Sequence, residues 1–571
     1  MTSTSSRGII LGLFLTTLVF HMAVAWQDFD VLAKNGFLYD DAFYAFKIAA
    51  NIAHGQGMTF DGVTPTNGFQ PLYVFLLVPI FWASGANLTT PVYGALSLAA
   101  LLTAFSAVLL FKLLRRYVGQ KAALVASVLW AFSPVVTRQA ANGLETALAL
   151  LLFAACVYFY VNRIRPVDRP PRKDFLIMGL LLGLAVLARV DAVLVALAIL
   201  VDYLLLLRRR RAGVRALLDV GVGVAAGVIL YGPWLLVSAI GTGSLLQDSG
   251  AATRFISVAY APLFNIGQSE MLSTGPNATF IWEHFMHALA VLKAAPPVHV
   301  VFRGVEKAGI ALGARGAFQI VAHLVAVLLS GLFAYLIFWP QRRGPARAIG
   351  ELRFLMIVVV GLISAYSAYV FGLFFFTRYL YPVYFIACVY AAFLIEMLTG
   401  WLGRQAVVAR SLTVALLLVY GCGFAYMAYA IVFRSSRMYY FYDAAQWVNE
   451  HTDREEKIGV FQGGMVGYFA DRKVINLDGK VNRHALDALR NHQLSAYLER
   501  EGIDVILDSS NVLDLFLFDP GTGRAPGHIS LEKIMHGARD GIPGWAAYRI
   551  HPWDGGGTGS VPTTPRSSSV H

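Results

Sequence analysis

The chain has 571 residues, of which 57% are hydrophobic and 14% are charged, and its mean hydropathy is +0.60. A soluble protein of this length cannot bury so much apolar surface, whereas a bilayer accepts it in spans of about 20 residues each. The formal charge of +12 lies in short clusters between apolar runs, which is typical of cytoplasmic loops and disfavours a nucleic-acid-binding protein.

The first apolar run, residues 8–26, predicts a transmembrane helix entering from a cytoplasmic N-terminus that carries Arg7. The run ends in Ala23-Val-Ala25, which also resembles a signal-peptidase site, but the many apolar runs that follow favour an uncleaved span. Residues 27–70 contain five aspartates and only two lysines. We therefore expect them to form the first outer loop.

Two apolar runs, 71–85 and 92–112, compete for the next crossing. The first is short and begins with Pro71, so we predict a re-entrant or surface-lying helix there and a crossing at 92–112. If residues 71–85 span the membrane instead, the orientation of everything downstream inverts.

The alternation of basic clusters with apolar runs predicts the remaining crossings and a long outer loop at 241–315. The predicted fold is mainly α, a polytopic bundle of about eleven transmembrane helices over residues 1–433. The remaining predicted spans are 121–136, 146–162, two short helices within 175–207, 216–240, 317–338, 354–373, 379–400 and 411–433.

Residues 434–553 change character and predict a small extracytoplasmic α/β domain, because short apolar segments alternate with amphipathic ones. The predicted strands and helices are 457–461, 473–477, 503–507, 444–451 and 485–501. The tail 554–571 is rich in glycine, serine and threonine and is predicted to be disordered.

The sequence contains no P-loop, dinucleotide fingerprint or zinc motif, so no nucleotide cofactor is expected. Cys156, Cys388 and Cys422 lie inside apolar runs and are expected to serve only in packing. In the long outer loop, His284 and His287 have no further ligand candidate, which disfavours a zinc site. The aromatic side of the helix predicted at 280–287 suggests contact with the membrane or with a lipid substrate.

Asp40 and Asp41 are adjacent in the first outer loop, beside a predicted helix from Ala42 to His54. Acids at this position favour the helix dipole, and a carboxylate at a membrane surface can also act as a general base or hold a cation. Lys47 lies one to two turns further on. We expect it to face the same side, either paired with the acids or in contact with phosphate.

Three further places carry charge where the apolar surroundings make charge costly. Glu145 opens a helix at an outer turn, and it is either a capping acid or a ligand for a cation or sugar hydroxyls. Arg189 and Asp191 are expected at the tip of the 175–207 hairpin, as an ion pair or a polar binding site. Arg378, followed by Tyr379, offers a planar fork of donors to phosphate, among aromatic residues that suit a lipid tail.

Taken in order, these motifs resemble the C-type integral-membrane glycosyltransferases (GT-C fold), nearest to bacterial arabinofuranosyl- and mannosyltransferase-like members. The resemblance rests on Asp40-Asp41, Pro65-Thr-Asn-Gly-Phe-Gln-Pro-Leu72, Glu145, Arg189-Val-Asp191, Arg378-Tyr379, Gly463-Gly-Met-Val-Gly-Tyr468 and Asn476-Leu-Asp-Gly479.

The resemblance implies inverting transfer of a sugar from a polyprenyl-phosphate donor to a glycan, lipid or protein acceptor, on the outer face of a bacterial cell membrane. It implies Asp40 as general base, Asp41 in support or holding a cation, and Arg378 on the lipid phosphate. Further implied contacts are Glu145 with sugar or cation, and Asn67 and Gln70 lining the cleft. A divalent cation, Mg or Mn, stays open, because no third carboxylate clearly completes a site with Asp41 and Glu145.

The main alternative is a transporter or flippase of a lipid-linked sugar, which would need the arginine but not a base. The absence of an internal repeat favours the enzyme. A polysaccharide polymerase would not require the paired aspartates in the first outer loop. A structural or receptor role leaves the charges at membrane depth unexplained.

Overall fold

The computed structural model describes residues 3–34, 37–211, 213–260, 349–368, 378–402, 425, 439–518 and 529–552. Within them, five helices are long and apolar enough to cross a bilayer, and a pair bent by 55° at 120–140 is a possible sixth. The predicted spans 317–338 and 411–433, together with His284, His287 and the tail 554–571, lie outside the described residues. The count of eleven spans therefore stays a prediction.

The described helices before the C-terminal domain range from 6 to 29 residues in length. They are α1 (Ser3–Ala25), α2 (Phe29–Lys34), α3 (Asp40–Ala53), α4 (Pro71–Ser84), α5 (Thr90–Leu114), α6 (Gln120–Ala131), α7 (Pro134–Ala140), α8 (Thr146–Phe159), α9 (Arg172–Ala188), α10 (Val193–Arg210), α11 (Val214–Thr242), α12 (Asp248–Tyr260), α13 (Phe354–Ala368) and α14 (Tyr381–Leu402).

Helix α4 covers the segment predicted to be re-entrant or surface-lying. Its 14 residues extend about 21 Å, less than the roughly 30 Å of a bilayer's hydrocarbon core. It packs against α3 and α5. Its length fits the prediction, and its placement relative to the membrane stays a prediction.

The run 175–207 is two helices, as predicted, and they meet at Arg189. The backbone there is extended, with φ −159° and ψ 128°, and a short 3-10 turn over Val190–Ala192 leads into α10. Helix α9 packs chiefly against α11, whereas α10 packs chiefly against α13. The two helices are therefore held by different neighbours rather than mainly by each other.

Helices α9 and α11 approach closely because glycines face each other. A Cβ at Gly179 would lie 1.9 Å from the carbonyl oxygen of Gly223, and one at Gly223 would lie 2.8 Å from that of Phe175. Small residues at such spacing allow membrane helices to pack backbone to backbone. The contact places Arg189, at the end of α9, in a defined position.

The membrane part has one apolar core built from α5, α6, α8, α10, α13 and α14. Cys156 and Cys388 are buried in it as free thiols, which confirms their packing role. Cys422 lies outside the described residues.

The C-terminal domain contains a five-stranded sheet in the order β2-β1-β3-β5-β4. Its elements are α15 (Tyr439–His451), β1 (Lys457–Val460), α16 (Gly464–Phe469), β2 (Lys473–Asn476), α17 (Arg483–Arg490), α18 (Leu494–Glu501), β3 (Val505–Ser509), α19 (Ser510–Leu513), β4 (Ile529–Met535) and β5 (Trp545–Pro552). The three predicted strands are the parallel neighbours β2, β1 and β3. The antiparallel pair β4–β5 was not predicted. Strand β4 is largely exposed to solvent, and polar residues alternate with apolar ones along part of it.

The predicted helix 485–501 is in fact two helices. His492 adopts a left-handed conformation, with φ 55°, and Gln493 N–H donates to the Ala488 carbonyl, which ends α17. A second apolar core joins α3 and α4 to β1, α15 and α16. The C-terminal domain is therefore packed directly on the loop that carries the paired aspartates.

Candidate active site

Asp40 and Asp41 are the first two residues of α3, so each lies where an acid favours the helix dipole. Successive residues of an α-helix point about 100° apart, because a turn contains 3.6 residues. The two carboxylates therefore face different neighbours.

Asp40 faces the C-terminal domain and is buried, with 7% of its surface exposed. Its Oδ1 accepts a hydrogen bond from Met465 N at 2.7 Å, and its Oδ2 accepts one from Gly464 N at 3.1 Å. A Cβ at Gly464 would lie 2.0 Å from the Asp40 carbonyl oxygen, so only glycine permits this approach. Burial raises the pKa of Asp40 well above its ordinary value, although the two N–H donors oppose this.

Asp41 faces two cations. Its Oδ2 accepts from Arg378 Nη1 at 2.8 Å, and its Oδ1 lies 3.4 Å from Lys480 Nζ. Burial by itself raises the pKa of Asp41, but Lys480 and Arg378 together outweigh burial and hold the pKa below its ordinary value. The lowered pKa keeps this carboxylate ionised at neutral pH, and 22% of its side chain is exposed.

Lys480 is a member of this charged cluster that sequence reasoning missed. It follows directly on the Asn476-Leu-Asp-Gly479 motif, and the Asp478 carboxylate accepts its backbone N–H at 2.9 Å. Gly479 has φ 80°, a conformation that glycine adopts readily. A lysine directly after an Asp-Gly turn was the available signal, although nothing local indicates that it reaches residue 41.

Lys47 does not pair with either aspartate, so that alternative is wrong, and its contact with phosphate stays a prediction. It lies on the same face of α3 as Asp40, towards the C-terminal domain. Burial lowers the pKa of Lys47, and the charge that opposes this is Asp471. Lys47 is thus separate from the Arg378–Asp41–Lys480 cluster.

Asn67 and Gln70 hold a neighbouring loop. Asn67 is buried, donates to the carbonyls of Ser244 and Leu246, and accepts from Asp248 N at 3.0 Å. The Gln70 side-chain carbonyl accepts from Gln247 Nε2 at 3.4 Å. Both side chains therefore fix the segment that follows α11, rather than lining the cleft as predicted.

Arg189 is bound by two carboxylates. Its Nη1 donates to Glu145 Oε1 at 2.7 Å, and its Nε and Nη2 donate to the Asp191 carboxylate at 3.1 and 2.7 Å. The Tyr366 hydroxyl bonds to both Arg189 and Asp191. The predicted Arg189–Asp191 ion pair is confirmed. Glu145 stands at the N-cap position of α8, but its side chain makes no capping hydrogen bond.

Tyr379 connects the two charged clusters. Its ring centroid lies 5.1 Å from the Arg189 guanidinium carbon and 5.0 Å from that of Arg378, within cation–π range. The ring also packs against Tyr366, with centroids 4.7 Å apart. The Tyr379 hydroxyl accepts from Arg378 Nη2 at 3.1 Å.

A small cleft with about 20 Å³ of free space lies beside these clusters. Its lining combines the charged groups of Arg189, Asp191 and Arg378 with apolar side chains such as Leu150, Phe153, Val195 and Leu362. Charged groups next to apolar side chains are the combination that an amphiphile with an anionic head and a hydrocarbon tail requires.

The donor set does not fit a divalent metal. Asp41 is held by Arg378 and Lys480, and Glu145 by Arg189, so a cation would have to displace these partners. In the part of the chain that the structure describes, no three His, Cys, Asp or Glu side chains converge. No step of the chemistry below passes through a metal.

Comparisons with known proteins agree on the class of fold. Residues 76–237 match the family model for dolichyl-phosphate-mannose-protein mannosyltransferase, and residues 430–550 match a domain of unknown function. No curated protein matches the sequence.

Solved structures match over nearly the whole chain. The crystal structure of ArnT from Cupriavidus metallidurans bound to undecaprenyl phosphate has a TM-score of 0.53 at 13% identity, and the match covers 96% of this chain and 98% of ArnT. The oligosaccharyltransferase from Archaeoglobus fulgidus in the apo form has a TM-score of 0.53 at 14% identity, and the match covers 87% of this chain and 69% of that one. The archaeal oligosaccharyltransferase AglB from Archaeoglobus fulgidus, in complex with an inhibitory peptide and a dolichol-phosphate, has a TM-score of 0.50 at 13% identity, with the same coverage.

These likenesses confirm the predicted fold class, a mainly α membrane protein with a small C-terminal α/β domain.

Proposed function

We propose that this chain is a membrane glycosyltransferase of the GT-C fold and that it moves a sugar from a polyprenyl-phosphate donor to an acceptor hydroxyl, with inversion at the anomeric carbon. The observation that carries the proposal is that Arg378 lines a small cleft in which charged groups lie next to apolar side chains. The ArnT structure, which contains undecaprenyl phosphate, supports the same class of donor.

Charge balance assigns the phosphate to Arg378 rather than to Arg189. Arg189 is already neutralised by Glu145 and Asp191, so an added anion would meet two carboxylates. Among the described residues, Arg378 and Lys480 together face two carboxylates, Asp41 and Asp478, so two cations balance two anions. The Arg189 group has one cation for two carboxylates, so an anion is favoured at the Arg378 cluster over Arg189.

We assign the general base to Asp41. Both Asp40 oxygens accept backbone N–H groups of the C-terminal domain, whereas Asp41 is more exposed and ionised. This differs from the sequence-based prediction of Asp40 as the base. Asp40 instead positions the start of α3.

The reaction balances as a single displacement. The acceptor oxygen forms a bond to the anomeric carbon and its proton passes to Asp41, while the bond from that carbon to the phosphate oxygen breaks. The electron pair leaves with polyprenyl phosphate, whose developing charge Arg378 stabilises. Because base and leaving group lie on opposite sides of the anomeric carbon, donor binding must separate Asp41 from Arg378.

The sugar side of the site is proposed at Glu145, Asp191, Arg189 and Tyr379, which offer acceptors, donors and an aromatic face. The sugar is a hexose or pentose, with arabinofuranose and mannose favoured by the resemblance. The acceptor is a glycan, lipid or protein. The reaction is proposed to occur on the outer face of a bacterial cell membrane, with the C-terminal domain on that side.

The test uses the full chain in nanodiscs with a panel of short-chain polyprenyl-phosphate sugars. Turnover and donor binding are measured for the wild type, Asp41→Asn and Asp40→Asn. We expect Asp41→Asn to lose roughly 10²- to 10⁴-fold in turnover, which is the usual contribution of a general base to the rate. The variant should still bind donor. Retained turnover in Asp41→Asn would overturn its role.

The same panel separates the enzyme from a transporter. Turnover of any donor, with inversion shown by NMR of the product, supports the transferase. Donor binding without turnover, together with movement of lipid-linked sugar between leaflets, would instead favour a flippase.

A further inference from the structure

Lys480 belongs to the C-terminal domain but lies in the site of the membrane part. It follows β2, at the carboxyl end of the parallel strands β2, β1 and β3, and this end faces α3. Its Nζ lies 3.4 Å from Asp41 Oδ1 and 3.1 Å from Asp478 Oδ2, and 5.9 Å from the ring centroid of Tyr44. Its side chain is 16% exposed.

The backbone of Lys480 is held from two sides. On one side, the Asp478–Gly479 turn fixes its N–H. On the other, Gly68 packs so closely that a Cβ there would lie 1.8 Å from the Lys480 carbonyl oxygen. The segment Pro65–Leu72 thus accommodates Lys480 only because residue 68 is glycine.

The domain around Lys480 is also docked firmly. Besides the two bonds to Asp40, the Tyr44 hydroxyl accepts from Gly463 N at 2.9 Å and from Asn476 Nδ2 at 3.1 Å. These buried polar groups have their hydrogen bonds satisfied only when the C-terminal domain and the membrane part meet in this way. The contacts therefore favour a single arrangement of the domain on the membrane part. The fold therefore fixes the backbone of Lys480 beside Asp41, so the position of its ammonium group does not depend on the flexible side chain alone.

From this geometry we propose that the C-terminal domain is part of the active site and that its Lys480, jointly with Arg378, binds the phosphate of the lipid donor. The inference rests on the proposed function. A sugar phosphodiester carries one negative charge, whereas the released polyprenyl phosphate, like other phosphate monoesters, carries about −1.5 to −2 at pH 7. A second cation therefore stabilises the leaving group more than the donor, which is the requirement for catalysis.

The experiment measures binding of undecaprenyl phosphate and of uncharged undecaprenol to the full chain in nanodiscs. The variants are Lys480→Met, Lys480→Gln, Lys480→Arg and, as a matched control, Lys473→Met, an exposed lysine on β2 of the same domain. We expect Lys480→Met and Lys480→Gln to weaken binding of undecaprenyl phosphate roughly tenfold or more, as for loss of one charge-assisted hydrogen bond. Lys480→Arg and Lys473→Met should bind like the wild type, and undecaprenol should bind equally to all.

Each result decides one question. If the wild type binds undecaprenyl phosphate no better than undecaprenol, the proposed function fails. If it does discriminate, but both neutral variants bind the phosphate like the wild type, the role of Lys480 fails and the proposed function stands. Should Lys480→Met not fold, Lys480→Gln, which keeps a hydrogen-bond donor for Asp41, decides alone.

Discussion

At the scale of single residues, two adjacent aspartates have opposite environments. Asp40 is buried against backbone donors, and burial dominates its pKa. Asp41 is next to two cations, which dominate its pKa despite burial. One position in a helix therefore decides whether a carboxylate meets backbone N–H donors or two cations.

The pH profile tests this division. The charged groups facing Asp41 are Arg378, Lys480 and Asp40. Because the pKa of Asp41 is lowered, the wild-type base stays ionised at neutral pH, and kcat/KM falls only as the pH drops through that lowered value. Lys480→Met removes one positive charge, so the pKa rises and the acidic limb should move to higher pH. An unmoved limb would show that another group titrates.

Arg189 offers a second test at this scale. Replacing it with methionine leaves Glu145 and Asp191 buried without their cation, and we expect a loss of about 3–5 kcal/mol in the free energy of unfolding. Arg454, whose pairing with Asp471 is 3.7 Å long and exposed on both sides, serves as control. Arg454→Met should change stability by less than about 1 kcal/mol. Equal losses in thermal unfolding would contradict this account.

At the scale of elements, the backbone contact between α9 and α11 determines where Arg189 lies. It depends on glycines that a hydropathy pattern does not distinguish from other small residues. The break in the 175–207 run also depends on one residue. The extended backbone at Arg189 changes the direction of the chain, so that α9 packs on α11 and α10 packs on α13.

Two glycines of α11 provide a matched pair. Gly223 faces the Phe175 carbonyl, whereas Gly221 has open space around its Cα. We expect Gly223→Leu to lower the unfolding temperature strongly and to reduce turnover by displacing Arg189. Gly221→Leu should leave both near the wild-type values. If Gly223→Leu kept the wild-type unfolding temperature and turnover, α9 and α11 would not be held together by this contact.

At the scale of the whole molecule, the C-terminal domain and the membrane part share an apolar core and a polar junction at α3. Asp40 and Tyr44 make that junction with backbone groups of residues 463–465 and the side chain of Asn476. The domain is thus positioned by the helix that carries the proposed base, and it brings Lys480 to that base.

Tyr44→Phe probes the junction without touching the cleft. Losing the hydroxyl leaves the Gly463 N–H without its acceptor, at a cost of about 1–3 kcal/mol, and removes one of the two acceptors of the Asn476 amide, which keeps the Phe461 carbonyl. Hydrogen exchange in residues 461–480 should accelerate, and donor binding should weaken. Tyr158→Phe is the control, because that hydroxyl makes no hydrogen bond to the described residues. Unchanged exchange in Tyr44→Phe would show that the apolar core alone holds the domain.

Much of the site was predictable as a set of residues but not as an arrangement. The positions Asp41, Glu145, Arg189, Asp191, Arg378 and Tyr379 were identified from charges that are costly near a membrane, and the structure brings them together. Lys47, Asn67 and Gln70 were attributed to the same site, yet their side chains contact other segments. Polarity indicated that these residues have a partner without indicating which one.

The sequence by itself determined the membrane class, the long apolar helices, the break at Arg189 and the three parallel strands of the C-terminal domain. These features depend on hydropathy and on local backbone preferences, which are properties of short segments. Only the tertiary structure decided which aspartate meets Arg378 and that Lys480 joins them. Those partners lie 337 and 439 residues away from Asp41 along the chain, and no local pattern encodes a contact between side chains so distant in sequence.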